Sequence, residues 1–188
     1  IRCTPLILTG LSISFAFKTG MFNIGAEGQA IIGMVTAVVV GYCVQLPPVV
    51  HFLVVAAAAM AAAGLWGALV GVLKSRFGIH EVISGIMLNW IVLYLTNMLL
   101  TTVKEDASPY TKVLAHINES AVLPSLGLGA LFNNNQYVGL AIPLSVLMAI
   151  LVWVVLEKTK FGYELKATGY NKNAAKYCGM AEKRNVIL

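Results

Sequence analysis

Residues 19–30, TGMFNIGAEGQA, hold three strongly polar side chains between two very apolar stretches. Asn23, Glu27 and Gln29 fall within seven residues and alternate with glycines, which let a backbone break and approach other groups closely. A carboxylate in hydrocarbon needs a partner, water or a proton, so Glu27 requires a special environment there. Two interpretations are open. Either Asn23 and Glu27 cap the next helix in an ordinary cytoplasmic turn, or the segment is the polar part of a path across a membrane.

A second polar group interrupts residues 79–90, IHEVISGIMLNW. His80 and Glu81 lie at the edge of an apolar stretch, and Asn89 lies about two helical turns inside it. The Asn89 amide suits either a structural hydrogen bond between helices or the lining of a path for a polar solute. A further alternative is an intramembrane enzyme with Glu27 and His80 as acid and base, which requires these side chains to lie within hydrogen-bond reach.

A third polar region, residues 157–180, is basic and contains regularly spaced glycines. Asn171 or Asn173 can cap a short helix that runs to about Tyr177. The glycines that we expect at helix stops are Gly162, Gly169 and Gly179.

The short helix in this region is too small to be stable alone, so it needs a partner surface. Its small apolar face comprises Ala174, Ala175 and Cys178. Such a helix favours docking into a groove of another protein. The alternative is attraction of the basic segment to anionic membrane lipid.

The elements that must position these residues are transmembrane helices. Of the 188 residues, 59% are apolar and 11% are charged, with a mean hydropathy of +0.81. Soluble domains carry roughly 25% charged residues, and a membrane span needs about 20 apolar ones. The sequence predicts an all-α integral membrane protein, and the charge-free runs place spans near 4–18, 28–45, 49–73, 82–103 and 138–156.

Lysine and arginine counts orient these spans. Residues 157–188 hold seven and 74–81 hold two, whereas 104–137 hold two and 45–48 hold none. The positive-inside rule makes 157–188 cytoplasmic and 104–137 an external loop. The first span, 4–18, rises only about 22 Å against a core of roughly 30 Å, so we expect residues 4–34 to be broken or re-entrant.

The predicted span at 49–73 has one face with very little side-chain bulk. Ala63, Gly67 and Gly71 follow one another at intervals of four residues. A face of this kind lets another helix approach closely.

The sequence shows no pattern typical of a metal, catalytic or ATP-binding site. Cys3, Cys43 and Cys178 form no CxxC pair, and the three histidines are scattered, so neither a metal site nor a catalytic constellation is predicted. The residues contain no GxxxxGK[ST] loop, so we expect ATP hydrolysis on another chain. Because the sequence lacks an initiator Met and ends in a basic segment, we expect it to be an internal piece of a longer protein.

Three motifs in order carry a family resemblance. GMFNIGAEGQ (20–29) resembles a hallmark of ABC importer permease subunits in the branched-chain amino acid and ribose superfamily. EVISGIMLNWI (81–91) is similar to a segment of the nucleoside branch, although Ile79 and His80 depart from the usual pair before it. KTKFGYELKATGYNKNAAKYCGM (158–180) resembles the family's cytoplasmic coupling loop, and the three motifs span most of the chain.

The resemblance implies a polytopic bundle of broken helices in the plasma (inner) membrane, roughly ten per full subunit, of which this chain is part. It also implies a second permease subunit, two ATP-binding cassette subunits and an extracytoplasmic substrate-binding lipoprotein, besides membrane lipid. No cofactor is expected on this chain, since ATP would bind the partner subunits, and no nucleic-acid partner is expected. The solute would be a nucleoside or related polar molecule. The alternatives are a simple sugar such as ribose, or transport by an ATP-independent carrier.

Carried over residue by residue, the resemblance assigns two groups of site residues. The candidates for the translocation path are Asn23, Glu27, Gln29 and Asn89. The positions that match the coupling motif are Phe161, Gly162, Lys166, Ala167, Gly169, Asn171, Ala174, Ala175 and Gly179.

Overall fold

A computed structural model describes residues 3–102 and 141–187, and the regular structure within these ranges is entirely helical. The predicted external loop, 104–137, lies outside the described residues. The all-α prediction is therefore confirmed for the described chain. The helices are α1 (Cys3–Lys18), α2 (Ala26–Cys43), α3 (Pro48–Phe77), α4 (Glu81–Thr102), α5 (Ala141–Lys158), α6 (Lys160–Tyr170), α7 (Lys172–Tyr177) and α8 (Glu182–Ile187).

Four of these helices, α2 to α5, are long and apolar enough to cross a membrane. Helix α1 is apolar but shorter, at 16 residues, which is a rise of about 24 Å. Large apolar side chains cover much of the outer surface of the long helices, including Leu65, Trp90 and Leu147. A surface of this kind is stable in hydrocarbon rather than in water, so the chain folds as a polytopic membrane protein.

The chain between α1 and α2 is broken, as the short first span predicts. Residues 19–25 leave the helical path, and Gly20 has a φ of 71°, a left-handed conformation that disfavours other residues. Helix α2 begins at Ala26 with Gly25 at its N-cap and no side-chain capping bond. The interpretation of Asn23 and Glu27 as caps is therefore wrong. We refer to residues 19–25 as the break.

Helices α3 and α4 form an antiparallel pair with a three-residue turn. Pro48 occupies the first turn of α3, where a missing N–H is harmless, and Gly78 ends the helix with a φ of 66°. Lys74 and Glu81 close the turn through an ion pair of 2.6 Å whose side chains are only 16% and 13% exposed.

Packing centres on α2, which lies against both α3 and α4, while α1 lies against α5. The small α3 face admits its neighbours as predicted: Gly33 of α2 packs on Ala63, and Gly71 packs on the Val186–Ile187 backbone of α8. Helices α6 to α8 therefore gather at the end of the bundle where basic residues finish α1, α3 and α5. We call this the basic end.

Candidate functional site

The polar site lies below the surface of the basic end. Asn89 contacts the break and sits eight residues after Glu81, the first residue of α4. Eight residues of helix rise about 12 Å, so the break reaches well into the bundle. Non-helical backbone at membrane depth survives only when it is buried in protein or lines a wet cavity. The break must therefore be held by specific partners.

Asn89 provides those partners through both ends of its side-chain amide. The Gly28 N–H donates to Asn89 Oδ1 at 2.9 Å, and Asn89 Nδ2 donates to the Ile24 carbonyl at 3.1 Å. Gly28 is required here because a Cβ at this position would lie 2.6 Å from Asn89 Oδ1. Asn89 therefore satisfies one free amide and one free carbonyl on the two sides of the helix start.

Gln29 and Asn23 lie on one side of the break. The Gln29 side chain packs directly against the backbone of Gly67 in α3, because a Cβ on Gly67 would lie 2.6 Å from Gln29 Nε2. Asn23 Nδ2 donates to Gln29 Oε1 at 3.5 Å, which is a long and weak bond. Both side chains line a cleft of about 230 Å³ between α1, α3 and α8, together with Asn185. The structure therefore brings two of the predicted path residues together.

Glu27 lies on the other side of α2, apart from Gln29. It is exposed in the first turn of α2, where the positive end of the helix dipole favours a carboxylate. It lines a cleft of about 270 Å³ with Asn89 and Trp90, whose walls are otherwise aliphatic. Glu27 and Asn23 also line a third cleft, of about 680 Å³, between α1 and α2, so Asn23 lies between the Gln29 side and the Glu27 side. Asn89 lines the cleft of Glu27 and Trp90 while its amide holds the break.

The acid–base pair of the enzyme alternative is not formed. His80 is exposed beside Glu81, with Nδ1 3.9 Å from Glu81 Oε2. Within the described residues, no hydrogen bond or ion pair joins His80 to Glu27. The observed contacts give no support to acid–base catalysis by these two residues.

The predicted coupling segment folds into α6, α7 and the approach to α8. Thr159 caps α6 by accepting from the Gly162 N–H at 3.1 Å. A Cβ on Gly162 would collide with the Val155 carbonyl and lie 2.6 Å from Leu156 Cα. This glycine therefore lets α6 fold back tightly against the end of α5, and the ion pair of Lys166 with Glu157, at 2.7 Å, spans the same corner.

Gly169 lies against the break itself. A Cβ at Gly169 would collide with the Lys18 carbonyl and lie 3.0 Å from the Gly20 amide nitrogen. From the other side, a Cβ on Gly20 would lie 3.2 Å from Gly169 Cα. Two backbones thus meet without intervening side chains, and α6 contacts the chain where α1 stops.

Helix ends are predicted at three glycines of the coupling segment, and the structure has a helix end at one of them. Gly179 has a φ of 76° and follows the last turn of α7, as expected. Gly162 and Gly169 are inside α6, so the stop predicted at each is wrong. Glycine costs a helix about 1 kcal/mol relative to alanine, and here the close backbone contacts offset that cost.

Helix α7 has the predicted cap but not the predicted apolar face. Asn171 Oδ1 accepts from the Asn173 and Ala174 amides at 3.0 and 3.1 Å. Ala175 is 2% exposed, whereas Ala174 and Cys178 are exposed, so these three residues do not form one open surface. Phe161 and Ala167 are half-buried in α6. The coupling role of these residues stays a prediction.

Sequence reasoning missed Asn185 and the exposed tyrosines. Asn185 is 1% exposed, and its Nδ2 donates to Thr168 Oγ1 at 3.1 Å, while its Oδ1 has no hydrogen-bond partner among the described residues. No local pattern marks it, since it lies outside the recognised motifs. The tyrosines do carry a signal, a spacing of seven residues, and they are Tyr163, Tyr170 and Tyr177.

Comparison with known proteins places the chain among transporter permeases. It is 41% identical to the guanosine ABC transporter permease protein NupP of Bacillus subtilis, over 99% of the chain and 52% of that protein. It is 29% identical to the nucleoside ABC transporter permease protein NupB of Lactococcus lactis, over 98% of the chain and 51% of that protein. A glucose ABC transporter permease protein of Haloferax volcanii is also 29% identical, over 96% of the chain and 49% of that protein.

The chain therefore spans about half the length of these curated relatives. No solved structure matches it. Its apolar helices and its relatives make it part of a multi-pass plasma-membrane protein, and permease subunits are transport components rather than catalysts. Residues 1–188 match the family described as the permease component of the branched-chain amino acid transport system, and the chain belongs to this family.

Proposed function

We propose that the full-length protein is the membrane-spanning subunit of an ATP-driven importer for a nucleoside. The names of the Bacillus and Lactococcus relatives support this solute class, and their similarity extends over almost all of this chain. The glucose permease relative keeps a simple sugar as the second candidate solute. Transport without ATP is the alternative mechanism.

The observation that carries the ATP-driven mechanism is the contact of α6 with the break. Gly169 meets the backbone of Lys18 and Gly20. Three of the four path residues follow Gly20 within nine positions, namely Asn23, Glu27 and Gln29. A displacement of α6 would therefore reach the break directly, because close-packed backbones transmit strain. An ATP-independent carrier has no need of a helix outside the membrane in this position.

The nucleotide would be held by two ATP-binding cassette subunits, and this chain would bind no cofactor of its own. We propose that these subunits dock on α6 and α7 at the basic end. The exposed rings of Tyr170 and Tyr177, 85% and 94% exposed, supply apolar area that the small α7 face lacks. Aromatic side chains of this kind are enriched at the centres of protein interfaces. Coupling would pass from α7 to α6 and then to the break.

The solute would pass the cleft of Asn23 and Gln29 and the cleft of Glu27 and Asn89, which lie beside α2. Gln29 and Asn23 offer neutral amide groups in one cleft, and Glu27 offers a carboxylate in the other. Because an exposed carboxylate is unstable against lipid, we propose that the Glu27 face meets a second permease subunit across a wet path. An extracytoplasmic substrate-binding lipoprotein would deliver the solute from the opposite end.

Reconstitution in proteoliposomes tests this function. The full-length protein and its partner subunits are assembled, and uptake of labelled guanosine, uridine and ribose is followed with ATP or a non-hydrolysable analogue on the ATPase side. We expect nucleoside uptake that requires ATP hydrolysis. If only ribose is taken up, a simple sugar replaces the nucleoside as the solute. If uptake is the same with ATP and with the non-hydrolysable analogue, the ATP-driven mechanism is refuted.

A further inference from the structure

The cleft that holds Glu27 contains a second recognition element, the indole of Trp90. Trp90 is 55% exposed and lines the same cleft of about 270 Å³ as Glu27 and Asn89. Tyr94, one turn further along α4, stacks on it with ring centroids 6.1 Å apart, which restricts the rotation of the indole. The cleft thus combines a flat aromatic surface with a carboxylate.

The remaining walls supply no competing charge. They are the aliphatic side chains of Ile24, Ile31, Ile86 and Leu93. A ligand here meets apolar walls, one ring face and one strong hydrogen-bond acceptor, the composition expected of a small-molecule site. Ligand pockets generally span about 300–1,000 Å³, so a cleft of about 270 Å³ lies at the small end and has room for one ring system.

From this geometry, and resting on the proposed function, we infer that Trp90 and Glu27 form the nucleobase half-site of the permease. The base stacks on Trp90, since every nucleobase has a π-face that an aromatic side chain can accept. In its ionised form the Glu27 carboxylate accepts hydrogen bonds and donates none, so it selects a base edge that carries N–H donors.

Guanine fits this edge better than the other purines. Its N1–H and 2-amino group are adjacent donors that one carboxylate accepts together, as it does from a guanidinium. Hypoxanthine keeps N1–H alone, and adenine presents an acceptor at N1. The expected order of affinity is therefore guanosine, inosine, then adenosine. Ribose alone has no π-face and gains nothing from Trp90.

Binding of labelled guanosine and adenosine to the full-length permease with its partner subunits tests the inference, with ATP-driven uptake measured in parallel. Trp90→Leu should weaken guanosine binding about 5- to 150-fold, the range of one base–aromatic stack. Trp153→Leu is the matched control, because Trp153 is 56% exposed on α5 and does not line the cleft. Trp90→Phe keeps a ring and should stay near wild type, so it separates lost stacking from misfolding.

Glu27→Gln tests the hydrogen-bonding edge independently of folding. A carboxamide presents an NH2 donor group beside a carbonyl acceptor, so it matches the adenine edge, an acceptor at N1 beside a 6-amino donor, better than the guanine edge with its two donors. Guanosine binding should fall about tenfold or more while adenosine binding is kept or gained. Unchanged guanosine binding in Trp90→Leu, or an unchanged guanosine-to-adenosine ratio in Glu27→Gln, overturns the half-site. If wild type imports nucleosides in that case, the proposed function stands, whereas wild type that imports none refutes both.

Discussion

Replacing Gly169 with alanine adds one heavy atom, the Cβ, at the contact between α6 and the break. The new Cβ would collide with the Lys18 carbonyl and lie 3.0 Å from the Gly20 amide nitrogen. Both neighbours are backbone, so neither can move aside by changing a rotamer. The Gly20 conformation, with a φ of 71°, leaves the break little freedom to adjust.

The size of the effect follows from two opposing contributions. Overpacking of this kind costs about 1–3 kcal/mol, while alanine gains about 1 kcal/mol over glycine in a helix. Gly10→Ala isolates the second contribution, because within the described part of the chain a Cβ on Gly10 of α1 meets no atom within 4 Å outside its own helix backbone and its chain neighbours. Gly169→Ala should therefore be less stable than Gly10→Ala by about 1–3 kcal/mol.

The assay is thermal unfolding of the detergent-solubilised complex, followed by ATP hydrolysis and solute uptake in proteoliposomes. Uptake per ATP hydrolysed should fall about fivefold or more in Gly169→Ala, since coupling free energies of 1–3 kcal/mol correspond to such factors. Gly10→Ala should keep the wild-type ratio. If Gly169→Ala matches Gly10→Ala in both stability and uptake per ATP, the contact does not couple α6 to the break.

Three further predictions concern the supports of the site. Asn89→Ala loses its bonds to Gly28 and Ile24 and should destabilise the protein by about 1–3 kcal/mol in the same melting assay. Asn89→Asp keeps an acceptor for Gly28 but turns a second acceptor toward the Ile24 carbonyl, so it should not restore the stability. Lys74→Met removes the lysine partner of the poorly exposed Glu81 carboxylate and should cost about 2 kcal/mol in the same melting assay. Adding Glu81→Leu should restore part of this loss, and a double variant no better than Lys74→Met would contradict the prediction. Asn171→Ala removes the α7 cap, worth about 1 kcal/mol, and should speed amide hydrogen exchange at Ala174 without changing exchange in α2.

The sequence predicts the long apolar helices because hydrocarbon imposes a simple rule on charge. Charge-free runs identify α2 to α5, and the shortness of the first run anticipates the break. Helix α3 continues beyond the predicted end of the third span at residue 73, to Phe77. Charged residues such as Lys74 and Arg76 are expected at the edge of the hydrocarbon, whereas the left-handed Gly78 ends the helix.

The contacts that organise the site could not be predicted in the same way. Asn89 and Gly28 are 61 residues apart, and neither periodicity nor hydropathy says which backbone group an amide inside a span will meet. Gly162 and Gly169 are predicted as helix ends because the low helix propensity of glycine can be inferred from the sequence. The backbone that packs against each of them cannot. The path residues share one motif, yet Glu27 and Gln29 point to different clefts because they lie two positions apart on a helix.

Amide hydrogen exchange at residues 19–28 is the measurement that tests the coupling mechanism most directly. It would be followed by mass spectrometry on the full transporter in lipid nanodiscs, with and without a non-hydrolysable ATP analogue. We expect nucleotide to change exchange at the break and at the Gly28 amide held by Asn89, and Gly169→Ala to abolish most of that change. Exchange in this segment that is identical with and without nucleotide would contradict coupling through α6.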